Sequence, residues 1–153
     1  MTTRNFWAPH VTVTAVIERD GRYLMVEERA NGRIVLNQPS GHLDAGESIL
    51  AAVCREVLEE TRRVFAPSHL LGQYLWQRPG GDSFLRTAVI GEVGDEDPSL
   101  PLDPSVIASY WLSLEELLDR RDGLRSPLVL AAIEDHRAGV RHPIEVLRHL
   151  DPE

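Results

Sequence analysis

The sequence predicts an α/β fold in which helices cover both faces of a mixed β-sheet. Three observations point there. Short alternating strands recur between residues 10 and 111, an amphipathic helix interrupts them near residue 50, and two helices close the chain. No internal repeat, low-complexity tract or linker divides the 153 residues, so the span 1–153 reads as one domain with its own core.

The elements follow in order. Over residues 10–18, apolar Val11, Val13, Ala15 and Ile17 alternate with polar or smaller partners, the period of a strand. Asp20-Gly21 supplies a hairpin turn into a strand over 23–27, and Asn31-Gly32 a second turn before a short strand over 33–36. Asn37-Gln38-Pro39-Ser40 reads as a loop that delivers the chain to Gly41. A helix is expected over 48–61, with Leu50, Val53, Cys54, Val57 and Leu58 as its apolar arc. Cys54 on that arc reads as core. Strands over 70–77 and 83–93 flank Pro79-Gly80-Gly81-Asp82, and an acidic, proline-containing loop over 94–105 precedes a strand over 106–111. Ser113-x-x-Glu116 forms a capping box for a helix over 114–120. Ser126-Pro127 opens a last long helix that should stop near Gly139.

Composition narrows the function. The first residues, Met1 to Trp7, lack the apolar core of a signal peptide, and no stretch approaches the length of a membrane span. A single cysteine forbids an internal disulfide or a multi-cysteine zinc cage. A soluble, cytoplasmic protein is therefore expected. The net charge of −8 argues against nucleic-acid polymers as partners, and no membrane partner is expected either. All sixteen basic residues are arginine, which excludes every mechanism built on a lysine. If the chain handles phosphates, it does so with metal and arginine.

The richest stretch runs Gly41-x5-Glu47-x7-Arg55-Glu56-Val57-x-Glu59-Glu60. Glu56, Glu59 and Glu60 stand at i, i+3 and i+4, which gathers them on one helical face. Three carboxylates so crowded repel one another, and a hard divalent cation removes the conflict. The six glycine, arginine and glutamate positions of this stretch, each taken as common as glycine at about 7%, coincide by chance roughly once in 10^7 starting points. The pattern reads as a Mg2+ site that holds a polyphosphate, with Mn2+ as the other candidate.

The same stretch resembles the Nudix box, the signature of hydrolases that cut diphosphate linkages, and that family implies an α/β/α sandwich. One departure is Arg62, which stands where the box has a glycine suited to a left-handed helix cap. It is read as a change in how the helix ends. The resemblance implies Glu56, Glu59 and Glu60 as metal ligands, with the Gly41 carbonyl as a further oxygen. It pairs Glu47 with Arg55 to brace the loop against the helix, while Gly41 and Gly46 permit backbone that other residues resist. Glu56 is one candidate general base; among the acids of the 94–105 loop (Asp95, Glu96, Asp97, Asp103), Asp103 is preferred for its place before the following strand. Arg86 is either a phosphate-holding fork or a surface arginine. Tyr74 and Trp76, two apart on a strand, either stack on a substrate ring or pack in the core. His42 follows Gly41 and is a candidate phosphate contact.

Beyond the box, the chain is similar to the bacterial phosphatase NudJ group. The similarity runs through Pro9-His10-Val11-Thr12-Val13, Asn37 to Leu43, Phe84-Leu85-Arg86, Trp111 to Glu116 and Leu124-Arg125-Ser126-Pro127-Leu128-Val129; Leu36 stands where tryptophan is expected. That group implies release of orthophosphate from nucleoside tri- and diphosphates and from the diphosphate of the thiamine pyrimidine precursor. Two alternatives stand beside it: a MutT-like pyrophosphohydrolase of nucleoside triphosphates, and a Nudix module that binds a nucleotide without turnover. The partner is a small phosphorylated molecule, and the chain a monomer or homodimer.

Overall fold

The computed structural model describes residues 4–151. Met1-Thr2-Thr3, part of the segment read above as lacking a signal-peptide core, and the last two residues of the span 1–153 lie outside the described residues. The order is β1 (His10–Val16), β2 (Glu18–Arg19), β3 (Arg22–Ala30), β4 (Arg33–Asn37), β5 (Ser40–His42), α1 (Ile49–Thr61), β6 (Phe65–Gln77), β7 (Ser83–Val93), β8 (Val106–Ser113), α2 (Leu114–Asp119), α3 (Leu128–Arg137) and β9 (His142–Pro143). A 3-10 turn, Arg121–Gly123, links the last two helices. No described helix is long and apolar enough to cross a membrane.

The strands form two sheets. The first is mixed, in the order β5-β1-β7-β6-β9, with β1 and β7 parallel and the other pairs antiparallel. The second is antiparallel: β3 is flanked by β8 on one side and by β2, then β4, on the other. Both Xaa-Gly turns take the doubly left-handed backbone of a two-residue hairpin. Their φ values are 53° and 77° at Asp20 and Gly21, and 50° and 74° at Asn31 and Gly32.

Helices cover the mixed sheet on both faces. On one, Ala52, Val53 and Val57 of α1 pack with Val13, Ala15 and Val89. On the other, Val129, Ala132 and Ile133 of α3 pack with Val16, Ala88 and Ile90. The sandwich is the one the strand and helix pattern predicts.

Several details differ from the sequence reading. Ser40–His42 is a strand, because Thr12, Val13 and Thr14 of β1 pair with it. Leu58 is exposed rather than part of the α1 apolar arc, whose buried side is Ala52, Val53, Glu56, Val57, Glu60 and Thr61. The last helix is shorter than expected, and Gly139 follows it with φ +82°. Most informative is Arg62. The helix end is not remodelled: Arg62 itself adopts the left-handed cap, φ 56° and ψ 30°, and its N–H donates to the Leu58 carbonyl. Loop 94–105 holds it there, with the Asp97 N–H donating to the Arg62 carbonyl at 2.9 Å.

Candidate active site

The Ser48 hydroxyl caps α1 by accepting from the Ala51 N–H, and the helix lays Glu56 and Glu60 against β5. The Glu60 carboxylate accepts from the Ser40 N–H at 2.7 Å. Glu56 lies against Gly41, where any Cβ would overlap its carboxylate. Gly41 therefore leaves the space that the Glu56 carboxylate occupies, and does not, as the sequence suggests, adopt an unusual backbone. Gly46 does use that freedom, with φ +85°.

Arg55 organises the outer half of the site. Its Nε and Nη2 donate to the two carboxylate oxygens of Glu47 at 3.1 and 2.7 Å, the expected brace in bidentate form. Nη2 also donates to the His42 carbonyl at 3.0 Å. Its Nη1 donates to Glu56 at 2.8 Å and to Glu59 at 3.3 Å. The hydrogen bond to Arg55 holds Glu47 below the usual carboxylate range.

The inner half is a cavity of about 540 Å3, lined among others by Glu28, Glu56, Glu60, Asp103, Arg86 and Arg125. Burial pushes Glu56 up to about 7, with the Glu59 and Asp103 charges adding to it against the Arg55 guanidinium. Burial pushes Glu60 up to about 9, helped by the charges of Glu28, Glu56 and Asp103 and opposed by the Ser40 amide. Glu28 is raised as well, chiefly by burial. Carboxylates that burial and mutual repulsion drive towards the protonated form are the groups a hard divalent cation stabilises as anions, so this donor set suits Mg2+ or Mn2+.

Among the described residues, however, no three acid, imidazole or thiol side chains stand close enough to hold a cation as they are. The expected trio does not converge, because Glu59 is half-exposed and turns with Glu56 towards the Arg55 guanidinium.

The cation-lined wall comes from the mixed sheet. His42, Thr12, Arg86 and Tyr74 are directly paired neighbours on β5, β1, β7 and β6, so they form one row on one face. Two residues along lies the row His10, Phe84 and Trp76, with stacked rings. Arg86 is only 7% exposed, and its Nε and Nη1 have no partner among the described residues. Burial, and then the field of Arg125, push it down to about 10, so it remains a cation at neutral pH. Trp76 and His42 line the cavity with it. Tyr74 does not: its ring packs against the core and its hydroxyl donates to Asp135 at 2.6 Å.

Asp103 also lines the cavity, whereas Asp95, Glu96 and Asp97 do not. Its Oδ1 accepts from the Ser105 N–H and hydroxyl at 2.8 and 2.7 Å.

The NUDIX domain family model matches residues 8–132. The chain belongs to the NUDIX family. Among NUDIX relatives, it is 39% identical over 139 residues to Phosphatase NudJ of Shigella boydii and of Escherichia coli K12, covering 91% of this chain and 90% of each relative. The structure is similar to a NUDIX hydrolase from Nitrosomonas europaea, with a TM-score of 0.91, 44% identity, and coverage of 95% of this chain and 100% of that one. A MutT NUDIX hydrolase from Burkholderia pseudomallei aligns at TM-score 0.67 and 26% identity, covering 84% and 98%. The family and the NudJ likeness together make the chain a hydrolase of phosphoric anhydride bonds.

Two cavity residues escape the sequence reading. Glu28 looks like a solvated strand end; it shares a face with Leu24 and Val26, but the continuous run Tyr23–Val26 is buried on both faces and carries no alternation that would have singled it out. Arg125 lies far from the NUDIX box, within a segment that matters to the resemblance but shows no ligand spacing.

Proposed function

We propose that this chain is a Mg2+-dependent phosphohydrolase of the NudJ type, with Mn2+ as a workable substitute. Its substrates would be nucleoside tri- and diphosphates and the diphosphate of the thiamine pyrimidine precursor, or of thiamine, with orthophosphate as the product. The observation that carries the reading is the split cavity, in which buried carboxylates of α1 and β3 face an unpaired, buried Arg86. The likeness to Phosphatase NudJ over nine-tenths of both chains supports it. The unit is taken to be one domain over 1–153, cytoplasmic, a monomer or homodimer.

Glu56, Glu59 and Glu60 would hold the cation, with the Gly41 carbonyl as a further donor. A bound divalent cation lowers the pKa of an attacking water and neutralises phosphate oxygens. Arg55, braced by Glu47 above Gly46, keeps Glu56 and Glu59 oriented. Asp103, with Oδ1 already engaged, takes the proton of the attacking water at Oδ2. Arg86 donates its free N–H groups to phosphate oxygens. His42 and Trp76 flank the substrate, and Tyr74 has no direct part.

The test is product identity. Protein with Mg2+ is given GTP, GDP and the thiamine pyrimidine diphosphate, and orthophosphate is assayed with and without pyrophosphatase. Orthophosphate from the diphosphates without the helper enzyme is expected. Signal from triphosphates alone, and only with the helper, would replace this reading with the MutT-like one. Glu59→Gln should abolish turnover; intact activity in that variant would remove Glu59 from the site.

A further inference from the structure

Arg125 is held more firmly than a loop arginine usually is. Leu124 makes a parallel bridge to Leu36 on β4, and the Arg125 N–H donates to the Leu36 carbonyl at 2.8 Å. Just beyond, the Leu128 N–H donates to the Ser126 hydroxyl, and the buried Gln38 side-chain amide donates to the Val129 carbonyl at 2.8 Å. The backbone on both sides of Arg125 is thus tied to β4 and to the turn that follows it. Its side chain reaches the cavity with a single acidic contact, Nη1 to Glu28 at 3.4 Å.

Lining the same cavity are Arg86, whose Nε and Nη1 find no partner among the described residues, and Thr12 beside it, whose buried hydroxyl finds none either. We propose that Arg125 and Arg86, with the Thr12 hydroxyl, form the seat of a terminal, unesterified phosphate, and that Arg125 selects such an end over a phosphate esterified on both sides. The inference rests on the phosphohydrolase reading and deepens it.

Charge and shape both argue for this ligand. A terminal phosphate monoester carries about 1.5 to 2 negative charges near neutral pH, and its three free oxygens can accept from two guanidinium forks at once. A diester phosphate carries a single charge and offers two free oxygens. The two guanidiniums feel each other's field, a repulsion that a dianion between them relieves. Ser126 and Leu128 line the cavity beside Arg125. Pre-anchoring also spares the ordering cost of a mobile arginine.

The test needs no turnover. Inorganic phosphate and dimethyl phosphate are titrated calorimetrically into the full chain in the presence of a chelator. Phosphate should bind saturably, and dimethyl phosphate at least tenfold more weakly. Arg125→Gln should weaken phosphate binding tenfold or more, while Arg33→Gln, on an exposed residue of β4, leaves it unchanged. With Mg2+, Arg125→Gln should raise KM for GDP far more than it lowers kcat. Equal binding of the two phosphates by the unaltered chain, or wild-type affinity in Arg125→Gln, would overturn the proposal. Orthophosphate release can stand while this titration fails, and the reverse, so the two readings are judged separately.

Discussion

The backbone N–H of Asp103 donates to the carbonyl of Glu59 at 2.9 Å. An acid from a distant loop is thereby fixed to the last turn of the helix that carries Glu56 and Glu60, using a carbonyl that the helix itself leaves unpaired. Asp103→Asn keeps this tether and keeps an oxygen for Ser105, yet removes the charge. The expected result is a kcat lower by about 10²–10⁴-fold, the usual worth of a general base, with an unchanged melting temperature. Retained kcat would pass the role to Glu56.

Gly41→Ala should damage the chain where no polar group is altered. The new Cβ would overlap the Glu56 carboxylate, pinned from the other side by Arg55. Overpacking of this kind typically costs about 1–3 kcal/mol. Thermal melting and Mg2+ titration should both show a loss; a neutral result would mean that Glu56 moves freely.

Arg62 allows the backbone cost of a left-handed cap to be isolated. Arg62→Ala and Arg62→Gly remove the same side-chain contacts, so their difference reports the cap. The glycine variant should be more stable than the alanine variant by about 1 kcal/mol, measured by denaturant unfolding. Equal stabilities would show that the cap relaxes once the arginine is gone.

The raised carboxylates set the pH behaviour of chelated protein. An acid whose folded pKa exceeds its unfolded value gives the native state the extra protons, so stability falls as pH rises between the two values. That window opens near 4.5, closes at about 7 for Glu56 and extends to about 9 for Glu60. Above pH 7 the contribution of Glu56 has ended and that of Glu60 continues. The chelated protein should melt lower at pH 9 than at pH 7, by about 2–4 °C for each kcal/mol lost. Added Mg2+ should recover more at pH 9, since its ligands must be deprotonated. Scanning calorimetry that shows a level or rising melting temperature would contradict the buried-acid picture.

Much of this was legible in the sequence, for identifiable reasons. The alternation of Val11, Val13 and Ala15, the Asp20-Gly21 and Asn31-Gly32 turns and the Ser113–Glu116 capping box are local signals, and the structure carries each of them. The pairing of Glu47 with Arg55 is what the resemblance to the box implies, and the two side chains are hydrogen-bonded. Harder to see were elements too short to show a period: β5 spans three residues, and β2 and β9 two each. Their pairing depends on partners far away in the chain. Glu28 and Arg125 escaped for the same reason, since they meet across 97 residues. Tyr74 and Trp76 share a face as their spacing requires, but α3 covers one and leaves the other at the cavity, a distinction no strand period contains.

Glu28 lies beside Glu60 on one side and Arg125 on the other. It belongs to both halves of the cavity at once. Anyone redesigning the arginine wall for a new substrate would release Glu28 from its counter-charge and turn its full repulsion upon Glu60. Natural drift faces the same constraint, so substrate preference and cation affinity in this lineage should change together, by linked substitutions at all three positions.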